Sequence, residues 1–473
     1  MTELAAAVPL IALAGGLLTC LARTPAQADR LNSIAALATA LAAFVLAALA
    51  IAGEERHTRW LEIDGASGVF VAVIAAVGLC SALVSPAYLR TSGRSWFTAA
   101  RSRRAYYAAL HAFWAALLFV PLAGNLALAW LVIEATTGAS ALLVSFSGSG
   151  RALEAGWKYL VLTTLGLAIA LLGIVILAIG QGEHGLGALD WHALEQATLP
   201  RETALVALVL IVAGLATKIG WAPVHNWLPD AHSEAPAPIS ALLSAALLPT
   251  VALVAWRVKT ALAPVAGPGA AGALFIGFGL ASMIVAVPFL WRSLPWKRLL
   301  AYSSLEHMGV IALGIGFGTP LAIAGVLVHV AGHALAKALG FYAALPLLRA
   351  DPEAASRPPT GRAGVPTATA MGVSLIALAA LPPSPLFASE LLIGLGGVDA
   401  GEPVVVAVAV LALALGFLGL LHALFEGVLT GTGERRRGDR SMLALTGVLG
   451  VGLLSLTAAA ALLPGSAFME RLL

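Results

Sequence analysis

Read for hydropathy alone, the chain is a succession of long apolar runs separated by short polar ones. A helix that crosses a bilayer needs about 20 apolar residues. Fourteen such runs are expected, centred near Ala12, Ala42, Ala76, Ala115, Ile133, Gly166, Val212, Ala246, Gly277, Leu305, Val330, Leu378, Leu415 and Val451. The longest connections are Leu89–Tyr106, Gln181–Thr203 and Arg349–Pro366, and no stretch is long and polar enough for a soluble domain. The first apolar stretch, Leu4–Cys20, reads as a span and not as a signal peptide. The pattern predicts an all-α polytopic membrane protein.

Two of the runs are broken by proline at matching places. The seventh reads LIVAGLATKIGWAPVHNWLPD, with Lys218 just before Pro223; the twelfth reads SLIALAALPPSPLFASELLIG, with Glu390 just after Pro382, Pro383 and Pro385. If spans four to eight and nine to thirteen are two five-helix units, these runs are the fourth helix of each. An odd number of helices makes the second unit run inverted to the first. Paired broken helices in inverted repeats mark ion sites at mid-membrane, because the unwound backbone can face a wet cavity. The expected organisation is a three-helix segment over 1–105, repeats over 106–262 and 263–430, and a last span over 431–473.

The bases orient the chain. Of its 27 lysines and arginines, 19 fall in loops on one side, among them Arg23, Arg30, Arg94, Arg101, Arg103, Arg104, Arg151, Lys158, Lys297, Arg298, Arg349, Arg357, Arg362, Arg435, Arg436 and Arg437. Arg56, Arg59, Arg201, Arg257, Lys259 and Arg471 lie on the other, whose loops are richer in acids. Positive charge collects on the cytoplasmic side, which places both termini outside the cytoplasm.

Four ionisable residues then stand where lipid excludes them: Glu134 in AWLVIEATTGAS, Lys218, Lys337 in HVAGHALAKALG, and Glu390. A charge at the centre of a span costs ~2.5–3.5 kcal/mol on insertion scales. Any one of them alone could be half of a structural ion pair. Two carboxylates and two amines, two of them at helix breaks, read better as groups that trade protons, since a buried Glu–Lys pair couples its titrations. In the eleventh run His329, His333 and Lys337 fall at i, i+4 and i+8 on one helical face, and imidazole suits a shuttle beside Lys337. Zinc is the competing reading, but the run lacks the Glu of HExxH and a third ligand, and Lys337 would repel a cation. The stretch WAPVHNWLPDAHSEAPAPISALL carries His225, Asp230, His232 and Glu234. It reads either as a polar gate or half-channel mouth, or as ordinary chemistry at a span boundary.

Composition agrees with the pattern. The chain is 60% hydrophobic and 11% charged, with a mean hydropathy of +0.94; soluble chains carry about 25% charge. The net charge of +3 implies nothing about nucleic acid, because the bases sit in loops between spans. Cys20 and Cys80 are far apart, and a Rossmann fingerprint and a P-loop are both absent. No metal, flavin or iron–sulfur cluster, and no cofactor of any kind, is expected on this chain.

The segments KIGWAPVHNWLPDAHSEAPAPISALL, WKRLLAYSSLEHMG and the HxxxHxxxK run ending at Lys337 carry a family likeness. Over roughly the fourth to thirteenth spans the chain resembles the antiporter-like proton-translocating subunits of respiratory complex I, Mrp-type Na+/H+ antiporters and membrane-bound group 4 hydrogenases. HSEAPAPISALLS, AYSSLEHMGVIALGIGFG and LPPSPLFASELL look most similar to the hydrogenase-4 component F group, also labelled NADH dehydrogenase subunit 5-like. In this resemblance Glu134 matches the family's fifth-helix glutamate, Lys218 its broken-helix lysine, Lys337 its central lysine with two preceding histidines, and Glu390 the terminal charge of the broken twelfth helix. It implies a non-catalytic, ion-translocating subunit in the inner (plasma) membrane, driven by a hydrogenase- or dehydrogenase-like peripheral arm and beside other membrane subunits. Where many relatives carry His and Lys in the eighth helix, this chain has Ser244 and Thr250; Trp296 replaces an acidic residue before KRLLAYS. A chain that stops after its fourteenth span is expected to lack the long lateral helix of the most distal complex I subunit. Mrp-type cation/proton exchange, a role in inorganic-carbon uptake and a structural membrane anchor are the competing functions.

Overall fold

The computed structural model describes residues 1–90, 99–181, 186–350, 364–429 and 440–472. Arg94, Arg357, Arg362, Arg435, Arg436 and Arg437, used above to orient the chain, lie outside the described residues, as do parts of the three longest connections. Among the described residues thirteen helices are long and apolar enough to cross a membrane. The fourteenth expected span, the twelfth in order, is a pair of shorter helices, Val365–Leu378 and Pro385–Asp399. All fourteen expected centres fall inside these helices.

Burial orders the spans from the middle outward. The tenth (Trp296–Phe317) has its whole apolar window buried, the eighth (Ala237–Ala266) 94% and the eleventh (Pro320–Pro346) 83%, against 22% for the fourteenth (Ser441–Ala460). The outer helices leave leucine and valine on the surface, as a lipid-facing side requires. The three inner spans hold polar residues away from hydrocarbon.

Glycine sets the closest crossings. The ninth (Pro268–Leu290) and tenth spans meet through Gly272, Gly279, Gly309 and Gly316. A Cβ on Gly279 would come within 2.9 Å of the Gly309 carbonyl, and one on Gly309 within 2.7 Å of the Gly279 carbonyl. Small residues let backbones approach where lipid supplies no hydrophobic drive for helix association. The sixth (Gly150–Gly180) and seventh (Arg201–Ile219) spans cross in the same way at Gly166 and Gly214, next to Thr217 and Lys218. A side chain on Gly214 would meet the Gly166 carbonyl at 2.5 Å. Gly214→Val is therefore expected to cost about 1–3 kcal/mol, the usual range for overpacking, read as a lower melting temperature of the detergent-solubilised protein; an unchanged melt would show that this crossing has slack.

The two breaks share one backbone pattern. The seventh span ends at Ile219 with Gly220 left-handed (φ 78°); the first half of the twelfth ends at Leu378 with Ala380 left-handed (φ 50°). Trp221 N–H donates to Ala216 O and Leu381 N–H to Ile376 O; then Val224 N–H donates to Trp221 O and Ser384 N–H to Leu381 O. Each turn holds one cis proline, Ala222–Pro223 and Pro382–Pro383. After the first break comes a short helix, Leu228–Glu234.

Outside the membrane a two-stranded antiparallel ribbon, Arg56–His57 with Glu62–Ile63, joins the second span (Pro25–Ile51) to the third (Gly65–Leu89). Asp64 caps the third span through Ser67 N–H at 2.6 Å and pairs with Arg257 at 2.8 Å. Burial opposes ionisation of Asp64, but Arg257 and the Ser67 hydrogen bonds outweigh it and hold the carboxyl below its usual range.

Candidate functional site

The first cluster surrounds Lys218, the penultimate residue of the seventh span and fully buried. Its Nζ donates to Thr137 Oγ1 at 2.7 Å and to the hydroxyl of Tyr159. Tyr159 in turn shares a hydrogen bond of 2.7 Å with Ser140 Oγ. Thr137 and Ser140 lie on the fifth span (Leu126–Ser147), three and six residues after Glu134. Glu134 is half-buried: Oε1 accepts from Thr164 Oγ1 at 3.0 Å, and Oε2 is buried without a hydrogen-bond partner. Glu134 thus lies one helical turn before Thr137, the partner of Lys218, but its own hydrogen bond goes to Thr164 and it does not touch Lys218.

The second cluster lies between the tenth, eleventh and twelfth spans. Lys337 is fully buried and donates to the Leu300 carbonyl at 2.7 Å. His307 Nδ1 meets His329 Nε2 at 3.1 Å, and His329 Nδ1 meets Ser389 Oγ at 2.9 Å. Ser389 is spoken for as a donor, since its hydroxyl bonds the Leu386 carbonyl at 2.8 Å. His329 therefore donates from Nδ1 and accepts at Nε2 from His307, which fixes the direction of the chain for neutral rings. Glu390, half-buried, completes this group: one atom each of His307, His329 and Glu390 lie within 4.8 Å of one another. His333 stacks edge-on against His307 with ring centroids 5.1 Å apart, and its ring faces the backbone of Ser244.

Two members of this cluster were not singled out in the sequence. Glu306 and His307 are adjacent in the middle of the tenth span and both are buried. Glu306 lies within Coulombic range of Lys337, and its Oε1 has no partner. It points at Gly416 of the thirteenth span (Pro403–Leu429), where any Cβ would collide with the carboxylate. The signal was present, two ionisable residues inside an apolar helix, which is the same signal that picked out Glu134.

Between the clusters stand Trp227, His232 and Phe341. The Tyr159 and Trp227 rings are 4.7 Å apart, Trp227 and His232 6.1 Å, and His232 and Phe341 5.9 Å. His232 Nδ1 bonds the Leu228 carbonyl at 2.9 Å, which leaves Nε2 bare and buried. Ser244, in a π-helical turn over Leu243–Leu247 of the eighth span, bonds Ser304 Oγ at 2.7 Å; such turns recur at functional sites. Thr250 Oγ1 is buried and unpartnered.

The remaining polar residues of the first break lie toward the arginine-rich loops. Asp230 pairs with Arg298 at 3.1 Å and Lys158 at 3.5 Å. His225 is half-buried with Nδ1 unpartnered. Lys297, expected to sit in a loop, is buried, and its Nζ caps the helix Leu228–Glu234 through the carbonyls of Ser233 (2.7 Å) and Ala235. A cation over the last carbonyls stabilises a helix C-terminus.

Among the described residues neither Lys218 nor Lys337 makes an ion pair within 4.0 Å, nor do Glu134, Glu306 or Glu390. A set of charges gluing helices together would show such contacts. Here Lys218 is held instead by two hydroxyls, Lys337 by a carbonyl and Glu134 by the Thr164 hydroxyl, each at a distance from an opposite charge.

Comparison with known proteins extends this picture. The family described as NADH:quinone oxidoreductase/Mrp antiporter, TM, matches residues 123–416, which contain both clusters. The chain is 33% identical over 393 residues to the hydrogenase-4 component F homolog of Methylacidiphilum infernorum, covering 80% of each. It is 31% identical over 371 residues to NADH-quinone oxidoreductase subunit N of Desulforudis audaxviator, covering 75% of this chain and 70% of that one. Its fold matches a chain of the archaeal membrane-bound sulfane sulfur reductase with a TM-score of 0.87 at 20% identity, over 99% of this chain and 96% of the other. A chain of respiratory complex I from Thermus thermophilus matches with a TM-score of 0.79 at 23% identity, over 97% and 99%.

Proposed function

The chain belongs to the NADH:quinone oxidoreductase/Mrp antiporter transmembrane family, and from that premise we propose that it moves protons through a buried relay of Glu134, Lys218, His329, His333, Lys337 and Glu390. Glu306 and His307 join the relay, and His232 is the hinge between its halves. His225 and Asp230 form a mouth at the arginine-rich face. The observation that carries the reading is the absence of contact ion pairs around the buried charges among the described residues.

The chemistry is that of proton exchange between poised sites. A proton arriving at His307 enters an imidazole chain whose next acceptor is His329 Nε2. The Glu390 carboxylate, with an oxygen within 4.8 Å of a nitrogen of both rings, is the next acceptor, and tautomerisation resets the ring. In the other half, Lys218 is held by the hydroxyls of Thr137 and Tyr159, and Glu134, one turn before Thr137 on the same helix, is the site with which it exchanges. Moving one charge across 100 mV is worth ~2.3 kcal/mol, so successive sites must lie within a few kcal/mol of one another. Contact ion pairs would make the sites too unequal to exchange protons.

In this reading the chain is an antiporter-like subunit with no redox centre of its own. It works beside other membrane subunits and a peripheral arm of the hydrogenase or dehydrogenase kind, in the cell's inner membrane, with both termini on the non-cytoplasmic side. The two five-helix units, 106–262 and 263–430, each contribute one broken helix and one cluster; the matched backbone of the breaks supports that division. The test is proton uptake by proteoliposomes holding the whole complex. Glu390→Ala is expected to cut redox-driven uptake at least tenfold while the complex still assembles on a native gel. Normal uptake by that variant would remove the terminal station from the relay.

A further inference from the structure

The loops on the face opposite the arginine-rich side bring together side chains that the relay does not use. We propose that His57, Glu62 and His192 form a divalent-cation site there, with zinc the ion its donors suit best.

The site is assembled from two preorganised parts. His57 and Glu62 are directly opposite each other in the antiparallel ribbon, so both side chains rise from one face, with His57 Nδ1 2.6 Å from Glu62 Oε2. His192 belongs to the short helix Trp191–Glu195, whose loop folds back over the ribbon and sets the two imidazole centroids 4.3 Å apart. One donor atom from each of the three residues lies within 4.8 Å of the other two. Tetrahedral zinc with bonds of about 2.0–2.2 Å draws its ligand atoms to roughly 3.5 Å, a contraction that side-chain rotation supplies on an exposed loop.

The surroundings are those of a metal ligand shell. His57 Nε2 faces Asp190 Oδ2 at 3.0 Å, while Asp190 Oδ1 is fixed by the His192 backbone N–H at 3.1 Å. A carboxylate behind the far nitrogen orients an imidazole for a metal at the near one. Glu195 Oε2 lies 3.6 Å from His192 Nδ1, a further carboxylate at the site. A cavity of about 310 Å³ adjoins the site, and Glu55, Glu62, Asp64, His192 and Glu195 are in its wall. Arg257, also in that wall, is already engaged by Asp64 at 2.8 Å. Two imidazoles with carboxylate select zinc or a similar borderline ion over magnesium or calcium, which take all-oxygen shells.

Bound metal would tie the loop between the sixth and seventh spans to the ribbon between the second and third. Asp190 also bridges to Asn125, whose side chain caps the fifth span at Leu128 N–H, 2.8 Å away. The site therefore sits over the end of the helix that carries Glu134. This revises the expectation of a metal-free chain, which rested on two isolated cysteines and on missing nucleotide motifs; these ligands use neither.

The experiment is titration of the chelator-treated complex, free of any histidine tag, with Zn²⁺ by calorimetry, together with zinc K-edge absorption of the loaded sample. One zinc per copy of this chain is expected to be lost on chelation and regained, with two imidazoles in its first shell. His192→Ala should weaken binding at least tenfold; that side chain is 55% exposed, so its removal leaves the fold intact. His57→Gln should do the same. Equal affinity in the wild type and in His192→Ala would mean an adventitious ion elsewhere, and a shell without imidazole would likewise overturn the site.

Discussion

Replacing Lys337 by arginine is expected to stop redox-driven proton uptake by the intact complex while leaving the complex assembled. Lys337 is fully buried, donates to the Leu300 carbonyl at 2.7 Å and, among the described residues, has no carboxylate within ion-pair distance. An amine in such a place can give up its proton; a guanidinium stays protonated at any accessible pH. Arginine would therefore hold its charge through the cycle and block every proton behind it. Lys337→Ala should fail equally, for the simpler reason that a station is gone. A structural ion pair makes the opposite forecast: arginine is tolerated, and alanine destabilises the protein by stranding a buried partner. Proteoliposome uptake and a native gel, run on both variants, separate the two readings. Normal pumping by the arginine variant would rule out an obligatory proton-releasing role for Lys337.

How far the site was legible depended on whether its signal was local. The spans were legible because hydropathy is a property of consecutive residues, and the breaks because proline cannot continue a helix. Glu134, Lys218, Lys337 and Glu390 stood out because each is isolated among apolar neighbours. Glu306 and His307 obey the same rule but lie in the least apolar of the thirteen long spans, behind Tyr302, Ser303 and Ser304, where one more polar residue attracts no notice. Lys297 was read as a loop base because it stands near a span's end, and only the packing of the Leu228–Glu234 helix shows what it caps. The partners of Lys218 are tertiary: Thr137 and Tyr159 are 81 and 59 residues away in sequence. The π-helical turn that aims Ser244 at Ser304 has no marker in SALLSAALL. Of the proposed metal ligands, His57 and Glu62 are close in sequence, but His192 lies 130 residues beyond Glu62, past any spacing rule.

Glu306→Gln is expected to be the next most damaging change, although glutamine has nearly the same shape. The carboxylate is the acid within Coulombic range of Lys337, and Gly416 leaves it the space it occupies. An amide fills that space and can still hydrogen-bond, but it carries no charge and takes up no proton. The free energy of the proton on Lys337 then no longer depends on a neighbour that titrates with it. A tenfold or greater fall in proton uptake is expected, which as a barrier is at least ~1.4 kcal/mol, with assembly and melting temperature close to wild type. Gly416→Ala serves as the steric counterpart, because it displaces the carboxylate without neutralising it. If Glu306 merely fills a polar gap, Gln should pump normally and Gly416→Ala should only lower the melting temperature. If it is the partner charge of Lys337, Gln should leave the melt alone and stop the protons, and adding Lys337→Ala to it should cost little more, since both changes break the same step.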